Sequence, residues 1–114
     1  MAVRFETPDP EALLNRLRKA INDGVIETWT YDKDGDFTHT AKEWNKQAWL
    51  RPRIEPERLS FYIIPRKGVN ISRVLYAVYH GRLIETALSH CDDAFKRAYA
   101  TAYPEKPDNV KGST

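Results

Sequence analysis

The chain has 114 residues, of which 41% are apolar and 30% charged; that balance suits one folded domain and excludes a disordered polymer. Its longest apolar run is far short of the ~20 residues of a membrane span, and MAVRFETPDPEALL has no apolar core after a basic start, so neither a membrane segment nor a secretory signal is expected. A single cysteine cannot close an intrachain disulfide, and the expected setting is the cytoplasm.

In chain order, Asp9 suits an N-cap, Pro10 the first helical position and Glu11 the positive end of the dipole. Leu13, Leu14, Leu17, Ala20 and Ile21 then recur at helical spacing, and Gly24 suits the C′ position. Residues 25–31 alternate as a strand, Asp32–Asp36 reads as a hairpin turn, and Phe37–Thr40 as the returning strand. Thr40 to Glu43 matches a capping box and predicts one or two helical turns through Asn45.

Strands are expected over 49–54, with Pro52 on an edge or at a bulge, and over 59–64. Between 71 and 91 the pattern changes. Val74 to Tyr79 is an unbroken apolar run, which predicts a strand buried on both faces over 72–79. After His80-Gly81 the spacing of Leu83, Ile84, Ala87, Leu88 and Cys91 predicts a helix over 81–91. One long helix over 71–91 is the alternative, against which Gly81 and the two-sided apolar run both weigh. A last strand is expected over 95–103, with aromatics on one side and small residues on the other.

The order α-β-β-short α-β-β-β-α-β implies an α+β fold, with a mostly antiparallel sheet of five to six strands and two main helices. Residues 1–103 form the expected single domain, and 104–114 a flexible tail.

Few residues point to chemistry. Asp32, Asp34, Asp36 and Glu43 mimic a calcium loop, yet Gly35 stands two places early, so a charged hairpin is the better reading. His39, His80 and His90 have no zinc spacing, and Cys91 falls on the apolar stripe of its helix, where a thiol is inert. No metal, cofactor or catalytic set is expected. The strand-to-helix seam at His80-Gly81 offers an anion site in which helix-start N–H groups join Arg82 and Arg73. Glu85 lies one turn on and extends the same seam into a candidate pocket for a small enzyme.

Arg51, Arg53, Arg58, Arg66, Lys67, Arg73 and Arg82 crowd one stretch, interleaved with Trp49, Phe61, Tyr62, Tyr76 and Tyr79. Such interleaving can stack bases and neutralise phosphates, though a solvated face explains it as well. Three Trp and six Tyr are the kind of residues that anchor interfaces. The first reading is therefore a non-catalytic module that binds a protein partner or itself, with Trp29, Trp44 and Trp49 as its anchors. A binder of nucleic acid or an anionic ligand comes second, and an enzyme using His80, Arg82 and Glu85 third.

Overall fold

The computed structural model describes residues 2–102 and 108–110. Eight elements follow in order: β1 (Ala2–Glu6), α1 (Pro10–Asn22), β2 (Trp29–Tyr31), β3 (Phe37–His39), β4 (Ala48–Glu55), β5 (Arg58–Pro65), α2 (Arg73–Cys91) and β6 (Arg97–Ala100). The six strands form one antiparallel sheet in the order β2-β3-β4-β5-β1-β6. The α+β class, the antiparallel sheet and the two main helices are as expected from the sequence. Among the described residues no helix is long and apolar enough to cross a membrane.

One strand is misplaced in the sequence reading. Residues 72–79 are not a central strand but the first half of α2, which runs unbroken through His80-Gly81. The helix starts where Ser72 caps it, its side chain accepting from the Leu75 N–H at 3.1 Å. A helix divides the apolar run between two sides: Leu75, Tyr76 and Tyr79 are buried, while Val74 and Ala77 face water. The sheet position expected of 72–79 is filled by β1, where Val3 and Phe5 face the core and Arg4 and Glu6 the other way.

Elsewhere local chemistry explains the elements. Asp9 accepts from the Ala12 N–H at 3.0 Å, and Gly24, at φ 78°, closes the end of α1. Residues 25–28 form a connection rather than the start of a strand, because the Val25 and Ile26 N–H groups both turn back to the Ala20 carbonyl. The β2–β3 hairpin is held by the Asp32 carboxylate, which accepts from the N–H groups of Asp34 and Asp36 at 2.9 and 3.0 Å. Residues 41–47 are turns without a capping box, since the Thr40 hydroxyl donates to the Glu27 carbonyl instead. Pro52 lies beyond the single pairing of Phe37 with Leu50, where β4 is an open edge.

Both helices cover one face of the sheet. Leu13, Leu14 and Leu17 of α1 and Leu75, Tyr79, Leu83 and Ala87 of α2 join Val3, Phe5, Leu50, Leu59, Phe61 and Ile63 in one core. Residues 108–110 return to the end of β5, where the Asn109 N–H donates to the Ile63 carbonyl at 2.8 Å and Asp108 accepts from the Ile63 N–H. Tyr103, 104–107 and 111–114, parts of the expected last strand and tail, lie outside the described residues.

Candidate interaction surfaces

The helices leave two surfaces of distinct chemistry: the far face of the sheet and the outer side of α2. On the far face, strand alternation aligns Trp49, Arg51, Arg53 and Glu55 of β4 with Ile64, Tyr62, Ser60 and Arg58 of β5. Beyond them come Arg4 and Glu6 of β1 and Tyr99 and Arg97 of β6.

Glu55 organises this face. It accepts from Arg58 Nε at 2.8 Å, from Tyr62 at 3.1 Å and from the Ser60 hydroxyl, while Arg53 stands 4.0 Å away. Arg4 Nη2 donates to the Tyr62 hydroxyl at 3.3 Å and extends the network by one strand. Burial alone would raise the Glu55 pKa; the hydrogen bonds from Ser60, Arg58 and Tyr62 prevail and hold the carboxyl below its ordinary value. Nearby, Arg51 grips Asp36 with two bonds of 3.0 and 2.8 Å, and Arg97 pairs with Glu6. Among the described residues, Arg4, Arg51, Arg53, Arg58 and Arg97 thus gather on this face around Glu6, Asp36 and Glu55. A hollow of about 210 Å³ opens there between Arg51, Tyr62, Ile64 and Asn109.

The outer side of α2 carries an apolar strip among exposed Arg73, Arg82, Glu85, Ser89 and His90. Val74 is 62% and Leu88 52% exposed; Ala77 and Gly81 are also exposed, and Val78 and Ile84 are half-buried. A methyl group added at Gly81 would meet nothing within 4 Å, and the backbone there is ordinary helix. Glycine in the middle of a helix costs roughly 1 kcal/mol relative to alanine. Among the described residues, no contact requires it.

The residues singled out in the sequence do not converge. His80 is buried at 2% exposure, stacked on Tyr76 with ring centres 4.2 Å apart, and its Nδ1 donates to the Tyr76 carbonyl at 2.6 Å. With no helix start at Gly81, the expected seam and its anion-binding N–H groups are not formed. Arg73 and Arg82 stand nine residues apart on α2, about 13 Å along the axis and on opposite sides of it. Glu85 is exposed on the outer face.

The tryptophans also separate. Trp29 is core at 2% exposure, its indole donating to Thr86 Oγ1 at 3.1 Å, so it anchors no interface. Trp44 packs half-buried against the core, and its carbonyl accepts from the Tyr79 hydroxyl. Trp49 alone lies on the far face of the sheet. Arg66 and Lys67 sit in the exposed β5–α2 connection, away from the arginines of that face.

Sequence reasoning missed Arg4 and Glu55 as members of one face. The signal that finds them is the period of two in Arg4-Glu6 and in Arg51-Arg53-Glu55, once register is known. Comparison with protein-family models, curated proteins and solved structures finds no match to this chain.

Proposed function

We propose that this chain is a protein-interaction module whose contact surface is the outer side of α2. The supporting observation is that α2 keeps Val74, Ala77 and Leu88 exposed, with Val78 and Ile84 half-buried beside them, on the side turned away from the core. An exposed apolar strip of this kind, flanked by Arg73 and Arg82 and carrying Glu85 within it, has the composition of a binding patch.

A second reading uses the far face of the sheet. Its exposed Arg51, Arg53 and Arg97, with Tyr99 and the half-buried Trp49 on the same face, suit an anionic ligand such as single-stranded nucleic acid. It ranks below the first because Arg51, Arg58 and Arg97 are already engaged by carboxylates.

One experiment separates the two: gel filtration of the tagged full chain from lysate of its own host. The α2 reading predicts elution above the 13.2 kDa of one chain, reduced to that size by Val74→Lys with Leu88→Lys and unaffected by nuclease. The sheet reading predicts loss on nuclease treatment, on Arg53→Glu, and between about 50 and 200 mM salt. Elution at monomer size throughout contradicts both.

A further inference from the structure

We propose that the outer side of α2 packs against the same surface of a second copy of this chain, antiparallel, about a two-fold axis at Gly81. The inference rests on the reading of α2 as an interaction surface and supplies the partner. A two-fold at Gly81 sets Val74 opposite Leu88 and Val78 opposite Ile84, apolar on apolar, and the small Ala77 opposite Glu85. An isologous interface requires this self-complementarity, because each residue meets the mirror position of its own surface.

The side chains suit the pairing. Val74 and Leu88, the most exposed apolar residues of α2, cover one another at both ends of the contact. Gly81 meets Gly81 at the centre, where no described residue crowds it, so the two backbones can approach closely. Opposite Glu85 stands the small Ala77, which leaves its carboxylate a path to water.

Charge favours the same direction. Arg73 opens the helix and Asp92 caps its end, both exposed. Antiparallel packing therefore brings each arginine near the aspartate of the other copy and opposes the two helix dipoles. Parallel packing would set Arg73 beside Arg73 and forfeit the match of Val74 with Leu88.

Sedimentation equilibrium of the full chain should give a mass approaching twice 13.2 kDa as concentration rises through the micromolar range. Val74→Lys with Leu88→Lys should weaken that association roughly tenfold or more while leaving the circular dichroism spectrum unchanged. Gly81→Cys should form an interchain disulfide under mild oxidation, whereas Lys19→Cys on α1 should not. A chain that stays monomeric up to millimolar concentration overturns the proposal, as does a dimer untouched by the lysine pair. A pure chain that is monomeric, yet loses a larger native assembly through the same lysine pair, overturns the second copy as partner and leaves the reading of α2 standing.

Discussion

His39 shows how much a single buried ring decides in this fold. It is 2% exposed, with the Trp29 ring edge-on at 5.1 Å, and its Nδ1 accepts from the Ala41 N–H at 3.1 Å. The imidazole is therefore neutral, with its proton on Nε2. Burial lowers its pKa below the ordinary value, the Arg82 charge lowers it further, and Glu85 opposes both. As pH falls below about 6.5 the unfolded chain takes up a proton that the folded chain refuses, so stability declines until the depressed native pKa is reached. Denaturant midpoints should accordingly drop between about pH 7 and 5, and His39→Gln should flatten that slope. An unchanged slope in the variant would contradict the assignment. At this scale composition misleads: an aromatic excess reads as interface anchors, but Trp29 is core because Thr86 satisfies its indole N–H.

Among the elements, α1 is legible because its cap, its proline and its apolar period all agree. The first half of α2 is not, because a strand buried on both sides and a helix apolar on both sides write the same run of residues. What separates them is Ser72, whose capping role is visible only if a helix is sought there. β1 shows the opposite case: its alternation of Val3 and Phe5 with Arg4 and Glu6 is present but only five residues long. Gly81 carries the element-scale prediction. If its hydrogen side chain serves an interface rather than the protomer, Gly81→Ala should stabilise dilute protein by roughly 1 kcal/mol, raising the thermal midpoint by about 4 °C. It should also loosen self-association. A fall in the dilute midpoint would mean that the protomer itself needs the glycine.

The whole molecule is a sheet with its two helices on one side, leaving two further surfaces that differ in kind: the far face of the sheet, buried at Arg4, Ser60 and Tyr62 and exposed at its margins, and the outer side of α2. The far face of the sheet is polar and largely self-satisfied, with Glu55 and Asp36 engaging their arginines internally. The outer side of α2 carries an apolar strip in which Val74 and Leu88 lie equally far from Gly81. The fold class was readable from the chain, but the candidate surface was not, because both faces arise only once strand register and helix rotation are set. Neither is a motif in sequence. The decisive measurement is the amide NMR spectrum of the full chain recorded across a dilution series. Peaks of Val74, Ala77, Val78, Gly81, Ile84 and Leu88 should move together with concentration while those of β4 and β5 stay still. Shifts confined to the sheet, or none at all, would contradict the account.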